Sequence, residues 1–386
     1  MVRPSAGESD NDEGTGTGPI RILLWYWGRR GGGARMTLEL AAALHALGDG
    51  VVSLEVAEAN ELLPELRLLG LDTSVSSVHP SRRRPRFSVG RVVPGPWSIG
   101  GRARRAGVDA VVSVMDHPLS GLGALCVRLA GVPLVTVVHD ARPHLGEHKP
   151  ALQVSAWMNA RLATRIVVLS GFVREQLVGR GVRSERIDVI PHGPFYAGGA
   201  PTTRPEGSIR VLFFGRIAEY KGLDLLIDAW PEVVKALPAA RLAIVGEGDL
   251  TSLAAQLAAL PSVDVRNAWV PDAEVPAVIR WADLVVLPYR EASQSGVVGV
   301  ARSLGVPVLV TDVGGLKEQV RDRVDGMVTT ADARSIAEAI IRFFTGPGSR
   351  TGLQIGPRAG EAWPDVARSF QSVVAGIGLA RSGGPT

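Results

Sequence analysis

The sequence predicts an α/β protein built from two doubly wound, parallel-sheet domains. Three observations carry this. Short runs rich in Val, Ile and Leu alternate with amphipathic stretches from Ile20 onward. A segment rich in Gly, Pro and Thr breaks the alternation at residues 196–208. The alternation then restarts at Ile209. With 386 residues, 46% hydrophobic and 21% charged, the chain suits two cores better than one.

In the first half the apolar runs are IRILLWYW (20–27), VVSLEVA (51–57), DAVVSVM (109–115), PLVTVVHD (133–140), RIVVLS (165–170) and IDVIPHG (187–193). Buried runs of this kind, separated by helices, imply a parallel sheet covered on both faces. The stretch ARMTLELAAALHALG reads as a helix stopped by Gly48. In the second half the runs are IRVLFFGR (209–216), RLAIVGEG (241–248), VDVRNAWV (263–270), LVVLPY (284–289) and PVLVTD (307–312), with helical stretches such as LDLLIDAWPEVVKAL between them. The expected units are therefore a domain over 20–195, a linker over 196–208 and a domain over 209–362. Tails are expected at 1–19 and 380–386. In such sheets ligands bind outside the carboxyl ends of the strands, so the cleft between the domains is the expected site.

Residues 1–19 are polar, acidic and Gly-rich, without the apolar stretch of a signal peptide. No run reaches the roughly 18–20 apolar residues of a spanning helix. Cys126 is the one cysteine, which points to a reducing, cytoplasmic setting. Net charge is only +4, but Arg82, Arg83, Arg84, Arg86, Arg91, Arg102, Arg104 and Arg105 crowd one region, interleaved with Phe87, Trp97 and Ile99. A solvated helix face is one reading of Arg82–Arg105. An anionic membrane surface, giving a peripheral place at the inner membrane face, is another, and a phosphorylated acceptor is a third. Nothing else resembles a nucleic-acid module.

Five strand ends carry candidate chemistry. Gly31, Gly32 and Gly33 follow the first strand and allow close approach of backbone to ligand, or simply a tight turn; the pattern is not a dinucleotide fingerprint. Arg216 and Lys221 flank a strand-to-helix turn and can hold a diphosphate and stabilise it as it leaves. In LPYREASQSGVVGVARS, the amides of Ser295, Gly296 and Val297 are expected in the first turn of a helix, where an anion is favoured, with Ser293 and Ser295 adding hydroxyls. A plain Ser N-cap is the alternative. His139 closes an apolar strand, placed to hydrogen-bond or shuttle a proton, or to serve structure alone. Glu318 follows Gly314 and Gly315 and reads equally as a helix-start acid. The one acidic Asp-x-Asp, Asp10-Asn11-Asp12, lies in the tail, so no metal site is expected.

GRIAEYKGLDLLIDAW, LAIVGEGD, ADLVVLPYREASQSG, GVPVLVTDVGGLKEQV and IDVIPHG together resemble glycosyltransferase family 4. The resemblance runs from Ile20 to about Ile377 and is strongest between Ile209 and Val328. It implies the GT-B fold, two Rossmann-like domains facing a cleft. It also implies retaining, metal-independent transfer from a nucleoside-diphosphate sugar, with no cofactor beyond that donor. By resemblance, Arg216 and Lys221 hold the donor diphosphate, Gly31–Gly33 approach it from the other domain, and His139 lines the sugar or acceptor side. Trp269 and Val270 meet the base. Gly215, Gly246, Ser293, Gln294, Ser295, Gly296, Val297 and Glu318 complete the donor-binding set. Residues 363–379 match the family's final helix, which returns to the first domain. The Glu-x7-Glu pair common in the family is missing: Ala292 and Val300 take its places, with Glu291 one residue early. The chain resembles the branch with an ASQSG-type turn, where Ser293, Gln294 and backbone amides must contact the sugar. A nucleotide-sugar 2-epimerase and a non-catalytic nucleotide-sugar-binding partner of another transferase are the rival readings.

Overall fold

A computed structural model describes residues 18–78, 95–146, 150–196, 209–346, 352–356 and 358–382. Most of the arginine-rich segment, from 79 to 94, and the linker from 197 onward lie outside the described residues. The N-terminal domain runs β1 (Ile20–Tyr26), α1 (Gly32–Leu47), β2 (Gly50–Ala57), α2 (Leu63–Leu68), β3 (Asp72–Ser76), α3 (Gly95–Arg105), β4 (Ala110–Ser113), α4 (Ser120–Leu129), β5 (Leu134–Val138), α5 (Pro150–Leu162), β6 (Arg165–Val168), α6 (Gly171–Val178) and β7 (Ile187–Val189). The C-terminal domain runs β8 (Ile209–Phe214), α7 (Leu223–Ala236), β9 (Ala240–Val245), α8 (Ala254–Ala259), β10 (Val263–Arg266), α9 (Val275–Trp281), β11 (Leu284–Leu287), α10 (Gly296–Ser303), β12 (Val308–Thr311), α11 (Leu316–Gln319), β13 (Met327–Thr329) and α12 (Ala333–Thr345). A last helix, α13 (Trp363–Ser382), follows.

Strand order is β3-β2-β1-β4-β5-β6-β7 in one sheet and β10-β9-β8-β11-β12-β13 in the other. All pairings are parallel. Both sheets reverse direction beside their first strand, which puts a crevice at the carboxyl ends of β1/β4 and β8/β11. The central strands are buried along their length, as their Val-rich runs require. Edge strands β3 and β13 are only partly buried; β3 is mostly polar and β13 is only three residues long, which is why no apolar run marks them. Helix α1 ends at Gly48, whose φ of 74° a side chain would strain.

Gly215 and Gly246 tie the ends of β8 and β9 together. Their φ angles are 124° and 156°, and a Cβ on Gly246 would stand 1.8 Å from the Gly215 carbonyl oxygen. Their amides donate to Val245 and Arg266. The donor-binding role expected of these two glycines gives way to a packing role, because both amides already serve the sheet.

The segment after β7 explains the IDVIPHG run. Helix α13 lies against α1, and Trp363 at its start packs onto Gly193, where a Cβ would be 2.4 Å from the indole. Trp363 Nε1 donates to the Pro194 carbonyl at 2.6 Å, and its ring stacks on Phe195. Farther along, Gln371 Nε2 donates to Asp49 at 2.7 Å. His192 is half-buried in the same cluster, edge-on to Phe195. Burial lowers its imidazole to about 4, against the pull of its hydrogen bond to the Gly193 carbonyl.

Two outcomes are expected. Trp363→Ala removes the indole that joins α13 to the β7 segment, and urea titration should show a loss of about 3–5 kcal/mol. For His192, the unfolded chain takes up the proton first, because its imidazole titrates near the ordinary 6.5 and the folded one near 4. Stability is therefore full above the unfolded value and declines as pH falls between about 6.5 and 4. His192→Asn should flatten that decline in denaturation curves collected across the window.

Candidate active site

The turn after β11 is the centre of the site, and neighbouring backbone shapes it. Gly314 and Gly315 press against it so closely that a Cβ on either would stand about 2 Å from a carbonyl oxygen, 1.9 Å from Ala292 and 2.0 Å from Ser293. The Gly315 amide donates to the Ala292 carbonyl at 2.9 Å, and Ser170 of the N-terminal domain donates to the Ser293 carbonyl at 3.0 Å. Ser295 is the residue before α10 but does not cap it with its side chain. Its amide donates to Gln319 Oε1 at 2.7 Å, and Gln319 Nε2 donates back to its carbonyl at 3.2 Å. Of the three amides expected to face an anion, that of Ser295 is thus taken by Gln319. Those of Gly296 and Val297 remain in the first turn of α10, ahead of the helix's own acceptors.

Two tyrosines organise the cations. Arg216 Nη2 donates to Tyr220 Oη at 3.1 Å. Lys221 Nζ donates to Tyr289 Oη at 2.6 Å and lies 3.9 Å from that ring's centroid. Tyr289 is fully buried and its hydroxyl also meets Ser295 Oγ at 3.3 Å. Burial pushes the Tyr289 phenol up to about 12, so it stays neutral. The structure thus brings Arg216, Lys221 and the α10 turn together through Tyr220 and Tyr289, neither of which the sequence reading singled out. The Pro-Tyr pair that ends the LVVLPY run was the available signal.

The Gly31–Gly33 expectation needs correcting. Only Gly31 precedes α1, and its amide donates to Glu61 Oε1 at 2.7 Å. Gly33 lies inside the helix, where a Cβ would stand 2.7 Å from the Tyr26 ring and 2.8 Å from Met115 Sδ. Gly32 alone faces open space. Trp269 lies under Arg30, 4.2 Å from guanidinium to ring centroid, and Arg30 pairs with Glu247 at 2.7 Å. Val270 is buried in the core rather than lining the cleft. Glu318 is also reassigned. Its two oxygens accept the amides of Gly171 and Phe172, 2.8 and 2.7 Å away, at the start of α6 in the other domain.

His139 lies at the end of β5, and its Nε2 donates to the Val114 carbonyl at 2.9 Å. Around it the fold gathers groups that the sequence reading missed. Asp116 accepts from Asn159 at 2.9 Å, and burial raises its carboxyl despite that bond and the nearby His139. Asp140 accepts from His144 at 2.9 Å and from Ser293. Burial pushes Asp140 up, but those bonds and the charges of His144 and His139 outweigh it and leave the carboxyl below its ordinary value. The His144 ring stacks on Tyr220 with centroids 4.3 Å apart. Glu291 turns to the N-terminal domain and accepts the Leu145 amide at 3.2 Å. Ala292 and Val300, at the two positions of the missing glutamates, are buried. Gln294 Oε1 is buried with no hydrogen-bond partner among the described residues. No group of three or more His, Cys, Asp or Glu among the described residues is placed to hold a metal.

Comparisons with known proteins bear on this arrangement. Residues 30–193 match a family model described as Glycosyltransferase Family 4, and residues 208–345 match one described as Glycosyl transferases group 1. D-inositol 3-phosphate glycosyltransferase 1 of Catenulispora acidiphila is 31% identical over 333 residues, covering 76% of this chain and 78% of that protein. The phosphatidyl-myo-inositol mannosyltransferase of Mycobacterium leprae is 26% identical over 334 residues, covering 81% and 83%. Among solved structures, Anabaena Alr3699/HepE in complex with UDP-glucose superimposes with a TM-score of 0.68 at 19% identity, covering 94% of this chain and 99% of that one. Two parallel-sheet domains, a cation-bearing turn at their facing edges and these similarities agree: the chain belongs to glycosyltransferase family 4 and is a sugar-transferring enzyme of the GT-B fold.

Proposed function

We propose that the enzyme moves a sugar from a nucleoside-diphosphate sugar to an acceptor hydroxyl with retention of anomeric configuration and without a metal. One observation carries the reading: Arg216 and Lys221 are held by Tyr220 and Tyr289 beside the first turn of α10, making a seat of positive and N–H groups. A donor diphosphate fits that chemistry. The acceptor oxygen bonds to the anomeric carbon, the bond from that carbon to the phosphate oxygen breaks, and the leaving diphosphate takes the acceptor's proton. Arg216, Lys221 and the Gly296 and Val297 amides stabilise the charge that grows on the leaving group. The two cations do the work that a metal does elsewhere.

Gln294 Oε1, buried and unpartnered among the described residues, accepts a hydroxyl of the donor sugar. Asp116, His139 and Asp140 stand across the cleft and orient the acceptor. Closure of the domains excludes water, which otherwise competes as acceptor.

Arg216→Ala and Lys221→Ala should each lower turnover by about 10²–10³ while melting curves stay close to wild type. Inositol 3-phosphate and phosphatidylinositol, taken from the relatives' names, are the first acceptors to assay, against UDP-, GDP-, ADP- and dTDP-sugars as donors. Near-normal turnover in both variants defeats the assignment of the cations. Turnover abolished by a chelator and restored by a divalent cation defeats metal independence, and an inverted product in the anomeric NMR spectrum defeats retention.

A further inference from the structure

Helices α3, α4 and α5 form one layer over the N-terminal sheet, α3 against α4 and α4 against α5. They pack backbone to backbone. A Cβ on Gly100 would stand 2.2 Å from the Cys126 carbonyl oxygen, and one on Gly121 would stand 3.1 Å from that of Ser155. The outer face of the layer is then made by side chains that point away from the sheet, and a helix facing water normally carries polar residues there. Here Trp97 is 60% exposed, Leu129 76%, Val154 59% and Trp157 64%. Val154, Trp157 and Arg161 follow one another at helical spacing on α5, so this is a stripe and not scatter.

The charge carried by these three helices has one sign. The chain holds 38 acidic residues, yet none falls within α3, α4 or α5. Arg102 turns inward to the buried Glu55. Arg104, Arg105, Arg128 and Arg161 are exposed and make no ion pair with any described residue. In a doubly wound domain the helices run opposite to the strands, so α3, α4 and α5 all begin at the carboxyl edge of the sheet, beside the cleft. Trp97 lies in the first turn of α3.

We propose that the outer face of α3–α5 docks on an anionic lipid bilayer. Trp97 and Trp157 enter the headgroup boundary, where an amphipathic ring is favoured, and the four arginines meet lipid phosphates. The charge pattern selects this occupant over a second copy of the chain. A twofold contact through the same face sets arginine against arginine with no acid to separate them. Docked this way, the enzyme holds its acceptor-domain cleft edge at the membrane surface. The inference stands apart from the assignment of donor and cations, because it concerns binding and not turnover.

The full chain is sedimented with vesicles of phosphatidylglycerol and phosphatidylcholine, and with vesicles of phosphatidylcholine alone. Binding is expected only to the first, weakening as salt is raised. The double variant Trp97→Ser/Trp157→Ser should bind about tenfold less, and Arg104→Glu/Arg128→Glu/Arg161→Glu should not bind. Both should keep the wild-type circular dichroism spectrum and turnover with a water-soluble acceptor. Leu68→Ser, at a leucine 86% exposed on α2, should bind as wild type does. Equal binding to neutral vesicles, or undiminished binding by the tryptophan variant, overturns the proposal. So does a self-associated protein that binds no vesicles and becomes monomeric when the tryptophans are replaced.

Discussion

The constraint on which the rest of this molecule depends is the close passage of Gly314–Gly315 beneath the Ala292–Ser295 turn. Two carbonyls come so near that no side chain fits between them. That contact leaves the turn's backbone groups to be satisfied by particular partners: the Gly315 amide, the Ser170 hydroxyl and both ends of the Gln319 amide. A turn braced at so many points presents the start of α10 in one orientation. Preorganised donors stabilise developing charge better than mobile ones, since they need no reorganisation when the charge appears.

The same bracing joins the two domains. Ser170 to Ser293, Glu318 to the start of α6, Glu291 to Leu145, and Arg30 to both Glu247 and Trp269 all cross the cleft. These bonds are polar. The Arg30–Glu247 pair is about half exposed on each side, and such pairs are worth about 0–1 kcal/mol. An interface of this character lets domains part and rejoin at modest cost. The apolar joint lies elsewhere, where Trp363 and Phe195 pack beside the β7 segment. A firm apolar hinge with a polar, separable cleft suits an enzyme that must admit two substrates and then exclude water.

Tyr220 and Tyr289 show how tyrosine hydroxyls hold a pair of cations in place. Each hydroxyl accepts from one cation, and Lys221 also lies over the Tyr289 ring. A neutral partner holds the ammonium in place without cancelling its charge, so the charge stays available to an anion.

Much of the architecture was legible in the sequence because it rests on local signals. Continuous Val, Ile and Leu runs mark central strands, which are buried on both faces, and Gly48 ends α1 by its left-handed conformation. Edge strand β3 escaped notice because its half-exposed residues need not be apolar, and β13 because three residues make too short a run. The cations Arg216 and Lys221 and the α10 turn could be read from strand-end position alone. What they touch could not. Gly31, Gly215, Gly246 and Glu318 all stand where the motifs put them, yet their backbone or carboxylate groups are engaged by Glu61, the sheet and α6, and Gly33 is packed against the Tyr26 ring. The Asp116–His139–Asp140–His144 group likewise depends on β4 and β5 ending side by side. The sequence by itself determined the two doubly wound domains and the chemistry of the strand-end residues, since periodicity and residue type are local properties. Only the tertiary structure decided which of those residues keep their polar groups for substrate, because each hydrogen bond that removes one is made by a partner far away in the chain.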